Sequence, residues 1–158
     1  MFSRFAEGYS QMIEKVIAAN RDFAEMAVRE QLESGLDGNE KELKPNYLND
    51  PYFKTREEAV KYMRWKEALT PPRQSSLGLR PRAVKTPNLR INGYYHQSIK
   101  AVPVSGGVRI GSQGAEFAPE VEGKYGGALY KLGRTANRKF YRDHLRTALK
   151  EYYRRFGL

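Results

Sequence analysis

Five basic side chains recur at every fourth position near the C-terminal end of the chain. They are Arg138, Arg142, Arg146, Lys150 and Arg154. Residues four apart are neighbours on a helix surface, so these side chains would form one slanting row, which we call the basic ridge. Like charges at this spacing repel each other, and helix formation does not require them. The ridge is therefore a candidate surface for an acidic protein or for nucleic-acid phosphates, against the alternative of a merely solvated helix face.

The positive charge of the chain is confined to its second half. The net charge is +10, yet residues 1–69 hold 11 Lys/Arg against 13 Asp/Glu, whereas residues 70–158 hold 17 against five. Such a distribution favours an acidic partner, which includes the mildly acidic half of a neighbouring copy. The eleven Tyr and seven Phe also suit interfaces, because a tyrosine offers an apolar body with a polar tip.

The sequence shows no group of residues with the types and spacing of a catalytic, metal-binding or cofactor-binding site. The chain has no cysteine, and its two histidines, His96 and His144, have no partner at a metal-ligand spacing. Three carboxylates, Glu116, Glu120 and Glu122, are expected to pair with Lys124, Arg109 or a neighbouring subunit rather than to run acid–base chemistry. The glycine pairs match no phosphate-binding loop. We therefore expect no enzyme activity, no metal and no cofactor.

Neither a signal peptide nor a membrane helix is expected. The first 20 residues carry Glu7 and Glu14 and lack an apolar core. Elsewhere, no stretch approaches the roughly 20 apolar residues that cross a bilayer. The sequence therefore predicts a chain with no membrane partner.

Two helices are predicted in the first half. Apolar residues at three- and four-residue spacing predict one long helix from about Ser3 to Ser34, which Gly35 ends. A second helix follows a capping-box pattern at Thr55 and Glu58 and continues to about residue 69. Trp65, the only tryptophan, lies in it and is expected to be a packing anchor.

A proline-rich segment at about 70–87 interrupts the regular pattern. It holds four prolines and four Lys/Arg, so we predict an extended arm or loop. Loops of this length are often functional. Two interpretations stay open, an arm that reaches a neighbouring subunit or a nucleic acid, and a disordered connection.

The second half predicts a small sheet followed by a helix. A period of two over Ser98–Val104 and Val108–Ser112, around a Ser-Gly-Gly turn, indicates a β-hairpin. A further short strand is predicted at Glu116–Val121. A final helix is predicted from Thr135, as its N-cap, to Phe156. The prediction is a single α+β domain over 1–158, with its C-terminal helix packed on the sheet.

Several short motifs between about residues 86 and 150 resemble a known family. They are Tyr95–Ile99, the hairpin with Val108–Gly111, the stretch Phe117–Gly123, and Phe140, Leu145, Ala148 and Leu149 in the final helix. This order of motifs is similar to that of tail-completion and head–tail joining proteins of tailed bacteriophages, which are minor tail or virion-morphogenesis proteins. The resemblance implies a ring-forming structural subunit at the neck or upper tail, with no catalytic residues.

The sequence thus predicts a structural subunit of a phage or prophage particle that is made in the bacterial host cytoplasm and resides in the virion. Its expected partners are further copies of itself and other neck or tail proteins. The alternative is a nucleic-acid-binding protein that uses the basic ridge without sequence specificity, since phosphate contacts position a protein and do not read bases. The first expectation depends on the opposite charges of the two halves, the proline-rich segment, the aromatic residues and the resemblance, whereas the alternative depends on the basic ridge.

Overall fold

The computed structural model describes residues 2–158 and confirms the α+β class. Its helices are α1 (Phe2–Ala19), α2 (Arg21–Glu33), α3 (Arg56–Leu69), α4 (Tyr94–Ser98), α5 (Ala118–Tyr125), α6 (Arg134–Phe140) and α7 (Arg146–Arg155); its strands are β1 (Ile99–Val104) and β2 (Gly107–Ser112); and a π-helical turn (Tyr141–Leu145) joins α6 to α7. No helix within these residues is long and apolar enough to cross a membrane.

The predicted single N-terminal helix is wrong, because the chain breaks at Asn20. The side-chain amide of Asn20 donates a hydrogen bond to the carbonyl oxygen of Val16 over 2.8 Å, beside the bond from its own backbone N–H to the same oxygen. The backbone of Asn20 is not helical, with φ −113° and ψ 26°. The second helix ends where the sequence predicts, at Gly35, whose φ of +73° is a left-handed conformation that favours glycine.

The hairpin is confirmed, and two side chains of α2 fix it to the helices. The two strands are antiparallel, and Val104 pairs with Gly107 across a two-residue turn. The guanidinium of Arg29 donates to the carbonyl oxygen of Ile99 over 2.8 Å, and the carboxylate of Glu25 accepts from the backbone of Ala101 over 2.9 Å. The sheet therefore packs against α2 through both apolar and polar contacts.

The strand predicted at Glu116–Val121 is wrong, since this stretch belongs to α5 and the turn before it. Pro119 stands in the first turn of the helix, where its missing N–H has no intrahelical acceptor to lose. Ala118 is buried in the main core. That core consists of Val28, Leu32, Leu43, Tyr95, Ile99, Ala115, Ala118 and Leu129.

The C-terminal helix spans 134–155 and starts one residue earlier than predicted. Its N-cap is Gly133, so the prediction of Thr135 as N-cap is wrong. The backbone N–H of Thr135 instead donates to the carboxylate of Glu40. The prediction packs this helix on the sheet. In the structure α7 contacts α1, and α1 in turn contacts β2.

The proline-rich segment has neither helix nor strand, and it lies against its own domain. Leu77 and Leu79 are buried beside Ala27 of α2 and Ala136 of α6. The buried Arg82 guanidinium donates over 2.8 Å to the carbonyl oxygens of Thr70 and Thr86, near the two ends of the segment. The segment is thus ordered by contacts within its own domain, and its reach to a neighbouring subunit or a nucleic acid stays a prediction.

Candidate interaction surface

All five residues of the basic ridge are exposed on the C-terminal helix. Arg142 pairs with the adjacent Asp143 over 2.9 Å, and its hydrogen bond is the main reason that the pKa of Asp143 is lowered. Within residues 2–158, the other four ridge residues form no ion pair. These four charges are thus open to a partner, and no ion pair within residues 2–158 offsets their mutual repulsion.

The π-helical turn changes the direction of the ridge. Residues four apart on an α-helix differ by about 40° around the axis, so four such steps would carry the row through about 160°. In the π turn, the N–H of Arg146 reaches back five residues to the carbonyl oxygen of Tyr141. This wider turn rotates the chain less per residue, which counteracts the drift between Arg142 and Arg146. The ridge therefore runs closer to the helix axis than its spacing alone predicts.

Aromatic contacts with α1 position the outer end of the C-terminal helix. The ring of Phe5 lies 5.3 Å from that of Tyr152 and 5.1 Å from that of Phe156, and Tyr9 lies 6.0 Å from Tyr152. These rings bury the apolar face of α7. Because the basic residues occupy other positions of the same helix, this packing keeps them exposed.

The inner end of the same helix packs on α2. The ring of Phe23 lies 5.8 Å from that of Phe140 and 5.3 Å from that of His144, and the rings of Phe140 and His144 lie 5.5 Å apart. His144, which has no partner at a metal-ligand spacing in the sequence, lies in this aromatic packing. The ridge is thus carried by a helix that is fixed at both ends.

The other histidine, His96, is a buried residue of α4. Its Nε2 lies 2.7 Å from the carbonyl oxygen of Asn88, to which it donates when neutral. Burial lowers the pKa of His96. Within residues 2–158, no three His, Cys, Asp or Glu side chains are arranged to hold a metal ion.

Three carboxylates at α5 remain available for contacts outside the chain. Glu116, Glu120 and Glu122 are exposed, and no ion pair joins any of them to another side chain of the part that the structure describes. The expected partner Lys124 instead pairs with Asp50 over 2.6 Å. One of the three, Glu122, accepts a hydrogen bond from the hydroxyl of Tyr130 over 2.8 Å. The chain thus carries three exposed carboxylates, which we call the acidic cluster because they are close in sequence, as well as the basic ridge.

Sequence reasoning missed a buried lysine in α3. Lys66 is only 2% exposed, and its Nζ has no hydrogen-bond partner within residues 2–158. A signal was present, because Lys66 shares the face of Ala59, Tyr62 and Met63 at three- and four-residue spacing. The adjacent Trp65 is 48% exposed, so its predicted role as a packing anchor is wrong.

Comparison of this chain with protein-family models, with curated proteins and with solved structures finds no match.

Proposed function

We propose that this chain is a structural subunit of a phage or prophage particle and forms part of an oligomeric ring at the neck or upper tail, in head–tail connection or tail completion. The observation that carries the proposal is the basic ridge, which is exposed and largely without acidic partners in its own chain. The assignment to a phage particle, and to its neck or upper tail, depends on the resemblance of residues 86–150 to phage head–tail joining proteins. On this proposal the protein resides in the virion and has no catalytic role.

The exposed acidic cluster supports contact between unlike surfaces of neighbouring copies. In a ring, each subunit presents one patch to the copy before it and a different patch to the copy after it. The ridge on the C-terminal helix and the carboxylates Glu116, Glu120 and Glu122 at α5 have opposite charges and lie on separate elements. Complementary charge of this kind steers association and fixes the register of the contact.

Hydrodynamic or mass measurements on the full chain test the assembly, over a wide concentration range and with candidate neck proteins added. We expect concentration-dependent oligomers that the double charge reversal R142E/R146E abolishes. The matched control R56E/R64E changes the net charge equally on exposed positions of α3 and should leave assembly unchanged. A strict monomer that joins no partner complex would contradict the proposal.

A rescue experiment tests the acidic surface directly. If the ridge meets the cluster at α5, the reversal E120K/E122K should restore assembly when it is combined with R142E/R146E, because both signs are then exchanged. If assembly is not restored although each variant keeps the circular dichroism spectrum of the folded protein, the partner of the ridge lies elsewhere.

The alternative function is nucleic-acid binding through the same ridge. It is favoured by four unpaired cationic side chains in a row, a pattern that follows phosphates without reading sequence. It predicts duplex DNA binding that weakens steeply with salt and is lost in R142E/R146E. DNA binding by a chain that never oligomerises would favour this function, and immeasurable affinity at low salt would exclude it.

A further inference from the structure

A cavity of about 480 Å³ opens between α3, the chain from Pro87 to Tyr95, and α5. Its walls are mainly aromatic and aliphatic, and they include Tyr47, Tyr62, Leu89, Tyr95, Phe117 and Val121. The volume lies within the range of small-ligand pockets, about 300–1,000 Å³. The cavity is separate from the basic ridge, which contributes no residue to its lining.

Lys66 lines this apolar cavity, and its amine is buried. An ammonium group has three donors and no acceptor, and burying it without partners costs several kcal/mol. Lys66 Nζ has no hydrogen-bond partner in the described chain, and neither have Arg82 Nε and Thr86 Oγ1, which belong to the adjoining proline-rich segment. Of these three residues, Lys66 is the one that lines the cavity.

The charge around Lys66 is strongly unbalanced. Arg82, 3% exposed, donates its hydrogen bonds to backbone carbonyl oxygens and forms no ion pair within residues 2–158. Arg73 and Arg90 both lie against the one carboxylate of Glu33, at 3.8 Å and 3.4 Å. The carboxylate of Glu33 thus pairs with two partly exposed arginines, whereas the buried Lys66 and Arg82 have no ion-pair partner within residues 2–158.

Burial first, and then the charge of Arg82, lower the pKa of Lys66 to about 8. At neutral pH the amine is therefore still mostly protonated in a place that disfavours its charge. A bound anion would remove this conflict, because it would supply both the opposite charge and the missing acceptors.

We propose that this cavity binds a carboxylate carried by an apolar or aromatic group, with Lys66 Nζ donating to the carboxylate and the aromatic walls enclosing the apolar part. The mainly apolar walls suit an acid with an apolar group better than a bare phosphate, which would leave those walls uncovered. The carboxylate has two sources of the same chemistry, a free small acid or an acidic side chain with apolar neighbours on another protein. The proposal does not depend on ring formation.

Fluorescence of Trp65 offers a direct binding assay on the full chain. Trp65 is the only tryptophan, and its ring lies 5.3 Å from that of Tyr62, which lines the cavity. The probes are phenylacetate with its neutral analogue phenylacetamide, and a capped Phe-Glu-Phe tripeptide with its Phe-Gln-Phe analogue. We expect at least one acid to cause a saturable change, at an affinity about tenfold or more above that of its amide.

Lys66→Met should abolish this binding, whereas Lys61→Met, on the exposed side of the same helix, should leave it intact. Lys66→Met should fold at least as stably as wild type, because it removes an uncompensated buried charge. Nitrogen NMR of the lysine side chains in wild-type protein gives a second measurement that needs no variant. The Lys66 Nζ signal should shift on addition of the acid that binds.

The two probe classes distinguish the sources. Saturable binding of phenylacetate would indicate a free small acid, and binding of the tripeptide alone would indicate an acidic side chain of another protein; both results support the carboxylate site. Binding of acid and amide with equal affinity, unchanged binding by Lys66→Met, or no binding by either acid would overturn the proposal.

Discussion

The hydroxyl of Tyr152 donates a hydrogen bond to the backbone carbonyl oxygen of Phe5 over 2.6 Å. This bond joins the last helix of the chain to the first, at the centre of the aromatic contact between α1 and α7. The close approach depends on Gly8, since a Cβ atom built there would lie 2.5 Å from the Tyr152 hydroxyl. The helix that carries the basic ridge is thus positioned by a polar bond and by the absence of one side chain.

Gly8→Ala should therefore destabilise the protein even though alanine is the better helix former. The new methyl group displaces the Tyr152 hydroxyl, and we expect the free energy of unfolding to fall by about 1–3 kcal/mol. Gly123→Ala is the matched control, because that position in α5 has open space around it and should gain a few tenths to about 1 kcal/mol. Denaturant unfolding measures both, and equal stabilisation by the two changes would contradict the close approach.

Two threonines, Thr55 and Thr135, are predicted from the sequence as N-caps. Replacing each by alanine should change the free energy of unfolding by different amounts. The Thr55 side chain accepts a hydrogen bond from the N–H of Glu58 over 3.2 Å, whereas the Thr135 side chain caps no helix. We expect Thr55→Ala to lower the free energy of unfolding by about 1 kcal/mol. Thr135→Ala should change it by less than about 0.5 kcal/mol. Thermal melts of the two variants decide the point, and similar losses would refute it.

Arg82→Lys should loosen the proline-rich segment. A lysine cannot reproduce the forked contacts of the guanidinium with the carbonyl oxygens of Thr70 and Thr86. We expect a loss of roughly 1–3 kcal/mol and faster cleavage by thermolysin near Leu77 and Leu79, which are buried in the intact fold. Arg80→Lys, at an exposed position of the same segment, should leave the cleavage rate unchanged. Equal rates for both variants would show that Arg82 does not hold the segment.

The free energy of unfolding should rise with pH between about 8 and 10.5 because of Lys66. The charged groups that act on it are Arg82, Glu33 and Arg90, and its pKa is about 8 in the fold against 10.5 in the unfolded chain. Below this window both states bind the proton, and the buried charge destabilises the fold. Within it the folded state releases the proton first, so stability increases, by about 2–3 kcal/mol in total.

Comparison with Lys66→Met isolates this effect. Tyr125, whose pKa burial raises to about 12, acts in the opposite direction at high pH, because the unfolded chain then releases its proton first. Wild type and variant share this tyrosine, so the difference between their pH profiles belongs to Lys66. Denaturant unfolding at several pH values gives both profiles, and parallel curves would show that the amine is not destabilised by burial.

Local signals in the sequence were sufficient for the hairpin and for the start of α3. A Ser-Gly-Gly turn and a Thr55–Glu58 capping pattern act within a few residues, so they predict structure without knowledge of the fold. By contrast, the stretch at Glu116–Val121 is too short for its period to separate strand from helix. Its helix depends on Ala118 reaching the main core, which is a tertiary contact.

The candidate functional surfaces likewise include one that the sequence predicts and one that it does not. The basic ridge was predictable, because its residues are exposed and helix geometry alone relates them. The cavity was not, since it joins α3 to the chain near Tyr95 and to α5, which are distant in sequence. The break at Asn20 was also missed, because a single asparagine within an apolar stripe is compatible with a continuous helix.

In the π-helical turn, Tyr141–Leu145, the number of residues matters more for the position of the basic ridge than the identity of the side chains. A π turn holds about one residue more than an α turn over the same rotation, so deleting one residue there would restore a regular α-helix and leave Arg146, Lys150, Arg154 and Tyr152 on the faces they now occupy. Deleting a second residue would turn them by about 100° around the helix axis, which would move the three basic residues off the line that begins at Arg138 and turn Tyr152 away from α1. Related sequences should therefore keep this number of residues or have one fewer, while they accept many substitutions in the turn.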